Sequence, residues 1–135
     1  MSLTKYLSES QTTSGVPVYQ DTEYTVTFDH FTNTGGEILQ VILLHNDRHA
    51  GMLNSRVVDY KGAKYANVVG IKIQPIHRSK GFGKMMYETL IHYSPDHIVG
   101  LISNLKRRLN KNEVPAIYKR LGSVEEDGYA IIPFN

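Results

Sequence analysis

The sequence predicts one α/β domain on a single mixed, mostly antiparallel sheet flanked by helices. Three observations lead there. Four strand-like segments precede any helical pattern, the apolar period changes after Pro75, and a strand, a helix and a strand then follow in order. The length of 135 residues supports one core and leaves little room for a second, so residues 1–135 read as one domain.

Residues 1–20 read as a loop or arm, because Ser8–Gly15 is polar throughout with no apolar period. Glu23–Phe28 alternates Tyr24, Val26 and Phe28 with polar neighbours, the period of a half-buried strand. Thr32–Gly36 ends in two glycines and predicts a turn. Glu37–Leu44 is densely apolar, as in a central strand covered on both faces. Asn46–Arg48 predicts another turn. His49–Tyr60 and Tyr65–Ile73 read as strands rich in Val, Ile and Tyr, joined by the loop Lys61–Lys64.

From Gly81 the apolar positions Phe82, Met85, Met86, Leu90 and Tyr93 fall at helical spacing until Ser94 and Pro95 stop them. Both methionines are expected in the core. Ile98–Ile102 reads as a buried strand, completing a crossover unit. Val114, Ile117 and Leu121 mark a second helix, with Asn112 as its cap, Pro115 in its first turn and Gly122 past its end. Asp127 and Gly128 turn the chain into a last strand, Tyr129–Ile132.

Composition narrows the chemistry. Cysteine is absent, which excludes disulfides, thiolate metal sites and a cysteine nucleophile. Neither a leader nor a membrane anchor is expected: Met1–Lys5 has no apolar run, and no uncharged apolar stretch approaches ~20 residues. The expected location is the cytoplasm. A net charge of +2 is too small to imply a polyanion partner by itself. The six histidines, at positions 30, 45, 49, 77, 92 and 97, form no His-x-x-x-His pair on a helix, so no metal is expected. Lys106, Arg107, Arg108 and Lys111 form a basic cluster, read as a solvated loop before a phosphate contact or a nucleic-acid surface.

The most informative stretch is Ile71–Lys84. An alternating strand ends at Pro75, and a basic turn with two glycines opens directly into a helix. Such a junction is an anion site. Backbone N–H groups at the helix start point outward, the helix dipole adds positive potential, and Gly81 and Gly83 let a phosphate come close. Arg78, Lys80 and Lys84 add formal charge. A dinucleotide-binding unit is disfavoured, because antiparallel strands precede the motif and no Asp or Glu ends the next strand.

With Arg78, Gly81 and Gly83 spaced as Arg-x-x-Gly-x-Gly after a strand, and with Ile117-Tyr118-Lys-Arg-Leu-Gly122 one crossover unit later, the chain resembles the GCN5-related N-acetyltransferase (GNAT) superfamily. The likeness runs from about Tyr65 to Gly122. It implies acetyl-CoA as cosubstrate. The turn Arg78, Ser79, Lys80, Gly81, Phe82, Gly83 and Lys84 would cradle the pyrophosphate through backbone amides, and Ile71 and Ile73 would pair with the pantetheine arm. Asn112, upstream of the family's tyrosine though out of register, joins the cofactor-binding candidates.

The resemblance also implies direct transfer of an acetyl group to a primary amine on a small molecule, peptide or protein, with Tyr118 near the thioester sulfur as proton donor. Asn67 stands eleven residues before Arg78, where some members carry a glutamate base, and an amide cannot serve. Asp59 is the nearest carboxylate candidate. Ser123 replaces the family's usual Phe. The region between the first two strands lacks the helices that commonly help form the acceptor site, so a reduced N-terminal substrate region is expected. These departures keep alternatives open: a non-catalytic CoA- or protein-binding module, then a basic nucleic-acid-binding module. A homodimer is left open, and no membrane partner is expected.

Overall fold

The computed structural model describes residues 16–104 and 116–134. Eight strands form one sheet in the order β1-β2-β3-β4-β5-β6-β8-β7. These are β1 (Val16–Gln20), β2 (Tyr24–Asn33), β3 (Gly36–His45), β4 (Arg48–Tyr60), β5 (Ala63–Ile73), β6 (Ile98–Asn104), β7 (Val124–Glu126) and β8 (Tyr129–Pro133). Helix α1 (Phe82–Tyr93) connects β5 to β6, and the short α2 (Ala116–Arg120) precedes β7. Neighbouring strands run antiparallel except β5 and β6, which are parallel because α1 carries the chain back across the sheet.

Two hairpin turns follow from local chemistry. Asn46 and Asp47 both take positive φ, as do Lys61 and Gly62, the two-residue geometry whose twist matches the flanking strands. Helix α1 ends where expected, with Ser94 as C-cap donating its N–H to Leu90. Phe82, Met86 and Leu90 of α1 join Val26, Phe28, Leu39, Val41, Leu43 and Leu53 of the sheet in one buried cluster. Fully burying a side chain of this size contributes roughly 1.5–3 kcal/mol, so the α1 face is a principal source of stability.

Four expectations change. Residues 16–20 are not part of an arm: they form β1, which pairs with β2 from Val16–Phe28 to Gln20–Thr25. Strand β2 continues past Phe28 to Asn33 because β3 offers a partner at every step. Strand β3 is not buried on both faces. Leu39, Val41 and Leu43 are buried beneath α1, whereas Ile38, Ile42 and Leu44 are half-buried. Val124–Glu126, unassigned from sequence, forms β7 against β8. Residues 1–15, the cluster Lys106–Lys111, Asn112 and Val114 lie outside the described residues.

Candidate acetyl-CoA site

The parallel pair β5–β6 is the element that shapes the site. Its register runs from Lys64–Ile98 to Asn67–Ile102, and β5 has no β6 partner from Val68 to Ile73. The strands part directly after Asn67, where β5 also shifts register against β4: Ser55 pairs with Val68 and Asn54 with Gly70. Val69 is the extra residue of that bulge, and it is 63% exposed. A bulge re-aims the local backbone, so one edge of β5 beyond it is left to face a groove.

That groove holds about 700 Å³. Its wall is β5 from Val68 to Ile73; Arg78, Gly83, Lys84 and Tyr87 line the α1 side, and Ile117 and Arg120 of α2 complete it. At its mouth the chain makes a 3₁₀ turn over Pro75–His77. Gln74 donates its N–H to Ala50 and Arg78 donates its N–H to Pro75, fixing the turn to the sheet. Beneath the turn, His77 is buried with Nδ1 2.9 Å from the Tyr24 hydroxyl, and the Tyr24 ring lies 4.4 Å from Phe82. Burial first, then the positive fields of His45 and Lys80, lower the His77 pKa below its ordinary value.

The turn has the backbone an anion needs. Gly81 is the N-cap of α1 with φ +83°, it provides no side-chain cap, and a Cβ placed there would meet nothing within 4 Å. With no side-chain cap, the first N–H groups of the helix are left for another acceptor. Arg78 donates from Nε to the carbonyl of Ile73 at 2.8 Å, and Lys84 lies 3.8 Å from Glu88.

The expected cofactor residues thus divide. Ile71, Ile73, Arg78, Gly83 and Lys84 line the groove, while Ser79, Lys80 and Gly81 are exposed in the turn beside it. The Phe82 ring does not face the groove: it is buried in the core, leaving only its backbone N–H for the turn. Tyr87, Ile117 and Arg120 were missed. Helical spacing could have found two of them, since Tyr87 follows Gly83 by four residues and shares its face, and Arg120 stands in the same relation to Ile117 at three.

A second cavity of about 340 Å³ opens nearby and shares Val69 with the groove. Arg56, Asp59, Tyr60, Asn67, Asn104 and Tyr129 contribute its polar lining. Asp59 is well exposed and pairs with Lys64 at 2.7 Å, which raises the Lys64 pKa. Partial burial, then the hydrogen bond Tyr60 donates to Glu126 at 3.0 Å, raises the Tyr60 pKa and keeps it a neutral phenol. Tyr118 lines neither cavity. It is buried at 1% exposure, packs edge-on against Tyr87 and directs its hydroxyl toward the Ile102 carbonyl, 3.5 Å away. Ile102 is the last β6 residue paired with β5, so this hydroxyl lies at the point where the strands part.

Two strands that part beside a glycine turn opening a helix leave room for an extended, anionic ligand. The model of the Acetyltransferase (GNAT) family matches residues 4–122. This chain belongs to that family. Among solved structures it is similar to Arabidopsis thaliana NAA60 in complex with a bisubstrate analogue, at 15% identity and TM-score 0.56 over 75% of this chain and 78% of the other. NAA60 in complex with acetyl-CoA aligns at 13% identity and TM-score 0.53 over the same shares, 75% and 78%. A mutant of KacT aligns at 16% identity and TM-score 0.52, over 72% of this chain and 71% of that one. At these identities the likeness is one of fold. No curated protein matches the chain. Among the described residues no helix is long and apolar enough to cross a membrane.

Proposed function

We propose that the chain transfers an acetyl group from acetyl-CoA directly to a primary amine. The observation that carries this reading is the edge of β5 from Val68 to Ile73, which has no β6 partner among the described residues, in one groove with the start of α1, which has no side-chain cap. The groove fits the cosubstrate: a free strand edge for the pantetheine amides, a glycine turn with open space for the pyrophosphate, and Arg78, Lys84 and Arg120 for its charge.

In this reading the backbone of Ile71 and Ile73 holds the pantetheine arm as an added strand. The N–H groups from Ser79 to Lys84 hold the pyrophosphate. The thioester then lies where β5 and β6 part, and a backbone N–H at the Val69 bulge polarises its carbonyl. The amine enters through the smaller cavity. As its nitrogen bonds to the acetyl carbon and the carbon–sulfur bond breaks, Asp59 takes the proton the nitrogen loses, directly or through water. Tyr118, buried behind the point where the strands part, turns its hydroxyl from the Ile102 carbonyl to give its phenolic proton to the departing thiolate. Lys64 holds the Asp59 carboxylate at the cavity wall.

Asn67 supports a second reading, a CoA-binding module without transfer, because the position offers no base. Two measurements decide. Thermal stabilisation by acetyl-CoA and CoA, but not by NAD or ATP, is expected of either reading. Thioester consumption with a panel of amines is expected only of the enzyme.

A further inference from the structure

His30, Glu37 and His97 stand far apart in sequence and come together at one end of the sheet. His30 lies on β2 two residues beyond Phe28, and Glu37 lies on β3 two residues before Leu39, so both continue the face that α1 covers. His97 belongs to the segment between α1 and β6, directly before Ile98. Past the end of α1 that segment returns over the same face. Nε2 of His30 is 2.6 Å, and Nε2 of His97 2.7 Å, from the same Glu37 oxygen, Oε2. The three ligand atoms all lie within 4.8 Å of one another.

We propose that His30, Glu37 and His97 form a binding site for a divalent transition-metal ion, with Zn(II) as the best-suited ion, which clips the β2–β3 hairpin to the α1–β6 connection. Two imidazole nitrogens and one carboxylate oxygen are a donor set suited to a borderline ion, and three protein ligands leave a position for water. Ligands at roughly 2.0–2.1 Å from a tetrahedral ion stand roughly 3.3 Å apart. Glu37 must therefore withdraw by roughly 0.6–0.7 Å from each nitrogen, and the two nitrogens, within 4.8 Å of each other, must close by up to about 1.5 Å, movements within the reach of side-chain rotations. To bind, each neutral ring presents its Nε2 lone pair to the metal and carries its single proton on Nδ1, any proton that had been on Nε2 passing to Nδ1 or to water.

Lys64, the nearby ammonium, is already engaged by Asp59 at 2.7 Å. The two imidazole rings stand 6.2 Å apart between centroids at 43°, converging on the carboxylate rather than stacking. Among the described residues this is the one cluster of three such ligands.

The test is titration of the tag-free full chain with Zn(II) at neutral pH, followed by calorimetry, with melting temperature and Co(II) visible absorption as separate readouts. Wild type is expected to take up one equivalent, to melt higher with the metal, and to give ligand-field bands with Co(II). Glu37→Gln and His97→Ala should each weaken uptake at least about tenfold and remove the metal-dependent rise in melting temperature. His49→Ala should bind as wild type does. If Glu37→Gln fails to fold, His97→Ala decides alone, since His97 is exposed and outside any strand or helix. Absence of saturable uptake overturns the proposal, as does uptake unchanged in His97→Ala; either result leaves the cluster as a pair of hydrogen bonds.

Discussion

The Arg78 guanidinium donates from Nε to the carbonyl oxygen of Ile73, 2.8 Å away, and so ties the glycine turn to the last residue of β5. One hydrogen bond thereby sets the two halves of the groove against each other: the free strand edge and the helix start. It also uses only one of the five guanidinium donors, leaving the terminal nitrogens for an anion.

Arg78→Ala is expected to weaken acetyl-CoA binding about ten- to a hundredfold, the effect of losing a charge-assisted contact together with the brace on Ile73. Arg78→Lys should recover little, because a single ammonium cannot hold the carbonyl and reach a phosphate at once. Calorimetric titration of both variants checks this, and equal affinity in wild type and Arg78→Ala would remove Arg78 from the site.

Gly81 offers a cleaner test of charge. Its backbone is left-handed, a conformation that Asn and Asp both tolerate better than other residues. Gly81→Asp and Gly81→Asn are nearly equal in size and differ in charge. Acetyl-CoA should bind Gly81→Asp at least about tenfold more weakly than Gly81→Asn, about 1.4 kcal/mol, if the pyrophosphate sits over the turn. Equal affinities would mean that the glycine serves only the turn.

Asp59 and Asn67 line one cavity, and only the first can take a proton. Asp59→Asn is expected to lower turnover about a hundredfold with acetyl-CoA affinity unchanged. If turnover is retained and follows the ionisation of the substrate amine alone, the proton leaves to water and Asp59 has no part in it.

Tyr118→Phe removes a hydroxyl from a buried ring whose packing on Tyr87 is otherwise kept. The melting temperature and acetyl-CoA affinity should hold, while kcat falls about ten- to a thousandfold. An unchanged kcat would make Tyr118 a packing residue and leave the thiolate to solvent.

His77 gives the fold a pH dependence. The folded chain holds this imidazole below its ordinary pKa of 6.5, so near that pH the unfolded chain binds the proton more readily. The contribution to stability is full above pH 6.5, declines as pH falls from there toward the folded value, and levels off below it. His77→Gln should flatten the fall in melting temperature between about pH 7 and about pH 5. Parallel curves for variant and wild type would assign the dependence to other histidines.

The amino-acid sequence by itself determined the crossover unit and the turn within it. The alternation of Val68–Ile73, the stop at Pro75, the glycines at 81 and 83 and the helical spacing from Phe82 to Tyr93 all act within a few residues of chain, so backbone geometry follows from local chemistry. The termination of α2 at Gly122, with φ +83°, is local in the same way. Tertiary structure alone decided where β5 leaves β6, because the last shared rung, Asn67 with Ile102, joins residues separated by a helix and its connections. It decided that Tyr87 and Arg120 line the groove while Phe82 turns into the core. Strand β1 has the same origin, since its short sequence carries no clear period and it forms only because β2 presents a free edge. A further case is His97, which reaches Glu37 across 60 residues. Spacing along a helix could not reveal that cluster, since its members come from two strands and a connection that meet only when the sheet is assembled and α1 has been laid across it.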